Sequence, residues 1–204
     1  MLELLAGTGL AIAAGLNAYI PLLVLGAAGK FIDAIQLPDG WAWLSNDWVL
    51  IVLGVLLVIE LIADKIPVVD SINDWIQTVI RPASGGIAFG TGSASQTTAI
   101  EDPAAFVDSG QWIGVATGVA IALGVHLLKM SIRPILNAMT IGAAAPLVSS
   151  LEDIGSAVLS VLALLLPFLI IFAVVGMVFG VLALRRRIVL HRRGTPGIAK
   201  RPAP

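Results

Sequence analysis

The chain is expected to fold as an all-α membrane protein, a polytopic helical bundle. Three observations lead there: composition, the length of its uncharged runs, and the placing of its few charges. Of 204 residues, 58% are hydrophobic and 12% charged, with a mean hydropathy of +0.98. Soluble domains carry about 25% charge, so this chain has too little to coat a water-facing surface. A soluble enzyme and a disordered chain are both excluded. Cysteine is absent, which removes disulfides, thiolate metal sites and cysteine nucleophiles. Of two histidines, His191 lies in a basic tail and only His126 is placed for interior chemistry. No metal site, cofactor or catalytic residue is expected, and the chain is not read as an enzyme.

A transmembrane helix needs about 20 mainly apolar residues. Leu4 to Gly29 is uncharged and reads as the first span. It begins Met-Leu-Glu rather than with the basic region of a signal peptide, so it is expected to be retained. Trp48 to Ala63 reads as the second span, with Glu60 in its last turn. Ser109 to Leu128 is the third. Ile154 to Leu184 is the fourth, long enough to tilt or to bend at Pro167. Trp41, Trp43, Trp48 and Trp112 cluster at span starts, where tryptophan favours the headgroup layer.

Two further segments read as broken or re-entrant helices. In Val68 to Ile80 the apolar positions Val68, Val69, Ile72, Trp75, Ile76, Val79 and Ile80 interleave with polar ones at helical spacing. Ser71 and Asp74 could form a capping box, and Pro82, Ser84, Gly85 and Gly86 should end the helix by residue 90. Ile132 to Leu151 carries Arg133, then the small residues Asn137, Ala138, Gly142, Ala143, Ala144 and Ala145, which suits a helix packed inside protein. The string Ile80-Arg81-Pro82 returns as Ile132-Arg133-Pro134, each followed eight residues after Pro by Gly90 or Gly142. Thr8 to Gly15 likewise resembles Thr117 to Gly124. An internal repeat of span plus broken helix would account for the first similarity. Repeats matter because discontinuous helices at a repeat interface expose backbone to transported substrates.

Residues 1–184 therefore form one transmembrane domain. Residues 185–204 form a basic tail whose Pro and Gly content points to disorder. All seven tail charges (Arg185, Arg186, Arg187, Arg192, Arg193, Lys200 and Arg201) are positive, whereas the rest of the chain holds all 13 acids. Basic tails beside spans orient a protein with that side in the cytoplasm. The expected setting is the cell inner (plasma) membrane, multi-pass, with both termini cytoplasmic and no nucleic-acid partner. If the two ambiguous helices dip back without crossing, Ser93 to Ser109 is a cytoplasmic loop. If both cross, it is external, and Glu60 and Asp64 reach the same side as the basic stripe described next. Lys65, Asp70, Asp74 and Arg81 around one amphipathic helix suit an interface, and dipping is the arrangement favoured here.

Glu60 and Asp64 share a helix face by their spacing, and His126, Lys129, Arg133 and Asn137 share another. Ionisable residues at membrane depth are costly, and mark pathways or face one another. Arginine's planar fork suits carboxylate and phosphate. Arg81 and Arg133, each before a helix breaker, are the expected binders of an anionic substrate, with Ser84 and Asn137 beside them. Glu60, Asp64, Asp74, His126 and Lys129 are the expected coupling or charge-balancing groups. Membrane lipids are the other partners. The glycine faces Gly110-Gly114-Gly118 and Gly176-Gly180 would pack helices within or between chains, giving a homo-oligomer in the second case.

The run Ala63-Asp64-Lys65-Ile66-Pro67-Val68-Val69-Asp70-Ser71-Ile72-Asn73-Asp74, ending in Gln77-Thr78-Val79-Ile80-Arg81-Pro82-Ala83-Ser84-Gly85, resembles a bacterial integral membrane family, the four-one-two-six family among the domains of unknown function. Gly15 to Tyr19 and Ala144 to Pro146 share in the resemblance, which spans residues 1–185 and implies no activity. In outline only, paired broken helices bearing arginine are similar to families that translocate lipid phosphates. The function expected is transport or translocation of a small or lipid-linked anion; the alternative is a non-catalytic membrane scaffold or assembly protein.

Overall fold

A computed structural model describes residues 1–93, 112–140, 145–176 and 178–180, with the side chains of 67, 68, 70, 71 and 137–139 excepted. The secondary structure among these residues is helical. The chain divides into two compact units, Met1–Ile170 and Ile171–Pro204. In the second, 171–176 and 178–180 are helical.

The first unit contains α1 (Leu2–Leu16), α2 (Ile20–Phe31), a 3-10 turn (Asp39–Ser45), α3 (Asp47–Ala63), α4 (Pro67–Gly92), α5 (Trp112–Thr140), α6 (Ala145–Leu165) and a 3-10 turn (Pro167–Leu169). Two of these, α5 and α6, are long and apolar enough to cross a membrane, or three if the 3-10 turn and α3, bent by 64°, count as one span.

The first expected span is not one helix. Asn17 is extended, and its side chain Oδ1 accepts from the backbone N–H groups of Tyr19 and Ile20 at 3.0 and 3.1 Å. It offers the backbone an alternative to continuing the helix, and Pro21 then starts a new one. The new helix turns back. Gly9 of α1 lies against Ala163 and Ile170, Ser156 Oγ donates to Ala13 O at 2.9 Å, and Asn17 Nδ2 donates to Asp153 Oδ1 at 3.0 Å. So α1 and α6 run antiparallel. Ala27, Ala28 and Phe31 share an apolar recess of about 320 Å³ with Val161, Leu164 and Leu165, so α2 runs with α6, back towards the start of α1. α1 and α2 form a helical hairpin with Asn17 at its tip.

The expected breaks at Pro82 and Pro134 are absent. α4 passes through Pro82 and α5 through Pro134 without interruption. Proline removes one backbone donor, and around Pro82 the rod is held by Arg81 on one side and by Gly85 and Phe89 against Gly118 on the other. α4 also starts at Pro67, with Ile66 as its unassisted cap, rather than at the Ser71 box. Ile132–Leu151 is not a unit: its first part completes α5, its last part opens α6, and 141–144 lie outside the described residues. No second copy of a span plus broken helix exists among the described residues. The helix expected over Ile154–Leu184 is interrupted after Leu165, with a 3-10 turn at Pro167–Leu169.

α4 and α5 cross closely and antiparallel. A methyl group at Gly118 would stand 2.5 Å from Phe89 Cβ and against Gly85 O, so only glycine admits this approach. On the far side of α4, Ile72, Trp75, Ile76 and Val79 are exposed. α4 thus turns its apolar stripe outwards and its polar stripe into the bundle, the reverse of a soluble amphipathic helix. Trp43, Trp48 and Trp112 are exposed, but Trp41 is buried beneath Gly90. The stretch from 94 to 111 and the basic tail lie outside the described residues.

Candidate functional site

α3 is apolar and outward-facing almost throughout. Its one fully buried residue is Glu60, at 2% exposure. One turn on, Asp64 caps the helix and is also buried. α4 brings Asp74, Gln77, Arg81 and Ser84 inwards at three- and four-residue spacing, all buried. α5 contributes His126, Lys129 and Arg133, one turn apart and likewise buried. α6 adds Glu152 and Asp153, and the hairpin tip adds Asn17 and the last carbonyls of α1.

Arg81, fully buried, donates through Nη2 to Glu60 Oε1 at 2.9 Å. Its Nη1 reaches His126 Nδ1 at 3.2 Å and Gly15 O at 3.5 Å. A guanidinium only donates, so Nδ1 of His126 accepts and Nε2 carries the ring proton. Nε2 faces the Asp74 carbonyl at 3.2 Å and Thr78 Oγ1 at 3.1 Å, and that hydroxyl donates to the same carbonyl at 2.8 Å. Thr78 and His126 are therefore not a nucleophile–base pair. His126 is a bridge between Arg81 and the α4 backbone.

Lys129 Nζ lies 2.8 Å from Glu152 Oε2, and Arg133 Nη2 2.9 Å from the same oxygen. Lys129 also reaches Leu16 O at 3.5 Å. Asp64 Oδ2 sits among three cations, 3.7 Å from Arg81, 3.5 Å from Lys129 and 3.6 Å from Arg133. Its Oδ1 accepts from Asn73 Nδ2 at 2.8 Å. Three cations (Arg81, Lys129, Arg133) thus meet three carboxylates (Glu60, Asp64, Glu152), and these six charges balance. Pairing of this kind offsets the cost of charge in a low-dielectric interior. Asp74 is buried with no cation at ion-pair distance among the described residues. Nor does any group of three or more metal-binding side chains occur among them.

The residues singled out from the sequence come together, with two qualifications. Ser84 is buried one turn beyond Arg81, and the side chain of Asn137 lies outside the described ones. Arg81 and Arg133 pair with acids, Glu60 and Glu152. Sequence reasoning missed Glu152, Asn73, Thr78, Asn17 and Asp153. The first two complete the ion-pair cluster, and the adjacent acids of α6 could have been found. They share a helical stripe with Ser149, Ser156 and Ser160, which marks an inward polar face.

The chain belongs to the family described as Domain of unknown function (DUF4126), whose model matches residues 4–187. Neither curated proteins nor solved structures give a match.

Proposed function

We propose that this member of DUF4126 is a small membrane transporter or translocase for a small or lipid-linked anion, and not an enzyme. The observation that carries the reading is the convergence of Arg81, Lys129 and Arg133 on the single oxygen Asp64 Oδ2. Three buried cations aimed at one oxyanion are the recognition chemistry of carboxylate and phosphate. A helical hairpin whose tip reaches that cluster supports it further, because discontinuous helices at membrane depth are tolerated where they are buried in protein or line a pathway.

In this reading α3, α4, α5 and α6 cross the bilayer. α4 at 26 residues and α5 at 29 measure about 39 and 43 Å at 1.5 Å per residue, ample for a core of about 30 Å. α1 and α2, at 15 and 12 residues, measure about 22 and 18 Å and re-enter from the face they started on. The re-entrant element is thus the first segment rather than the one around Pro82. Dipping of α4 would keep Asp64 from the α5 stripe, and its contacts with Lys129 and Arg133 support crossing instead. α4 runs antiparallel to α1 and ends on the face of Met1: Gly7 meets Phe89 and Ser93, and Gly15 meets Arg81. This reading takes that face as the cytoplasmic one of the inner membrane.

The charge balance of the cluster favours a second reading, a non-catalytic membrane scaffold locked by ion pairs. Flux separates the two. Reconstituted protein should carry inorganic phosphate or a short carboxylate across proteoliposomes. Arg81→Lys and Arg133→Lys should each lower that flux at least tenfold, since lysine loses the planar fork. Normal flux in both variants, or none in the wild type, leaves the scaffold.

A further inference from the structure

We propose that Asp64 is the built-in occupant of an anion-binding site formed by Arg81, Lys129 and Arg133, and that an oxyanion replaces it there. Each cation has a short contact elsewhere: Arg81 with Glu60 at 2.9 Å, Lys129 with Glu152 at 2.8 Å and Arg133 with Glu152 at 2.9 Å. All three turn a second, longer contact, 3.5–3.7 Å, to Asp64 Oδ2. The cradle is therefore positioned by Glu60 and Glu152 and not by Asp64. If the carboxylate leaves, the cations stay where they are and each loses its contact with that oxygen.

Asp64 is also placed to leave. It is the cap just past the end of α3, with Lys65 and Ile66 turning directly after it. Glu60, by contrast, lies inside the helix. The second anchor of Asp64, Asn73 Nδ2 at 2.8 Å, is a neutral amide from the first turns of α4. A ligand entering must bring a compact oxyanion, the shared chemistry of a carboxylate and a phosphate monoester, to reproduce three contacts at one oxygen. A soluble anion and a lipid headgroup both offer it. The inference rests on the anion-transport reading for its substrate class alone.

The test is rescue of a deleted ligand. Asp64→Ala opens a space the size of a carboxylate among the three cations, while Asp64→Asn removes the charge and keeps the space filled. Both should melt below the wild type in detergent micelles. Sodium acetate or inorganic phosphate, at constant ionic strength, should raise the melting temperature of Asp64→Ala by several degrees and saturate. Asp64→Asn should not respond. Equal responses of the two variants to salt, or no response in either, overturn the proposal. If Asp64→Ala does not survive purification, its folded yield with acetate present throughout is the reading, and no recovery with either anion is the negative result. Micelles doped with phosphatidic acid, without free phosphate, distinguish the source. Stabilisation there assigns the site to lipid headgroups, and stabilisation by inorganic phosphate alone assigns it to soluble anions. Rescue without wild-type flux in proteoliposomes keeps the site and removes transport.

Discussion

Glu60→Ala isolates what holds α3 to the bundle. In lipid the apolar face of a helix gains little by leaving its surroundings for another helix, and α3 fully buries only Glu60. Its bond to Arg81 is 2.9 Å long with both side chains almost wholly inaccessible. Two unit charges about 4 Å apart attract by about 4 kcal/mol at an effective dielectric of ~20. Deleting the carboxylate leaves Arg81 with the more distant Asp64, already shared by Lys129 and Arg133. Removing one partner of a buried pair costs about 3–5 kcal/mol. Neutral interhelical hydrogen bonds in membranes average only about 0.6 kcal/mol, so a loss of 3 kcal/mol or more reads the charge and not the bond. Glu60→Gln keeps an acceptor at Oε1 and should lose about 1.5–3 kcal/mol, the worth of a charge-assisted bond. The double variant Glu60→Leu/Arg81→Leu should recover most of the loss, because no charge is left unpaired. What it does not recover is the donor to His126. Unfolding of the purified protein in mixed micelles, followed by tryptophan fluorescence, gives all three values. A Glu60→Ala variant within about 0.5 kcal/mol of the wild type, or a double variant equal to the sum of the singles, would refute the reasoning.

Three further outcomes follow from the geometry. Gly118→Val places methyl groups against Gly85 O and Phe89 and should cost about 1–3 kcal/mol by overpacking; Gly124→Val, with nothing within 4 Å, should be close to neutral in the same unfolding assay. Asn17→Ala removes the acceptor for two backbone donors at the hairpin tip and the partner of Asp153. A loss of about 2 kcal/mol, the upper range for a capping side chain, is expected, and an unchanged midpoint would mean that the turn does not depend on it. A single cysteine at Ser95, in a chain with no native cysteine, should resist an impermeant thiol reagent in intact cells and react after lysis; ready labelling in intact cells would put the end of α4 on the outer face.

Much of the site was legible before any fold was known, since a charge in an apolar run is costly and has to find a partner. Glu60, Asp64, His126, Lys129 and Arg133 stood out for that reason, and four-residue spacing placed them on common faces. Proline misled for an equally physical reason. Arg81-Pro82 and Arg133-Pro134 look like helix ends because a ring nitrogen cannot donate, yet both rods run on through their proline. The real interruption, at Asn17, carries no such mark. An asparagine in a glycine- and alanine-rich run breaks a helix only when its side chain finds the backbone N–H groups ahead of it.

The amino-acid sequence alone determined that the chain is helical and suited to a membrane, because composition sets which solvent a surface can face. It also determined which residues had to be paired. Only the tertiary structure decided the partners. Whether α1 and α2 form one span or a hairpin depends on where Asn17 points, and the direction of α2 sets the direction of every helix after it. Contacts between helices far apart in sequence then bring Arg81 to Glu60, Glu152 to Lys129 and Arg133, and all three cations to the one oxygen of Asp64.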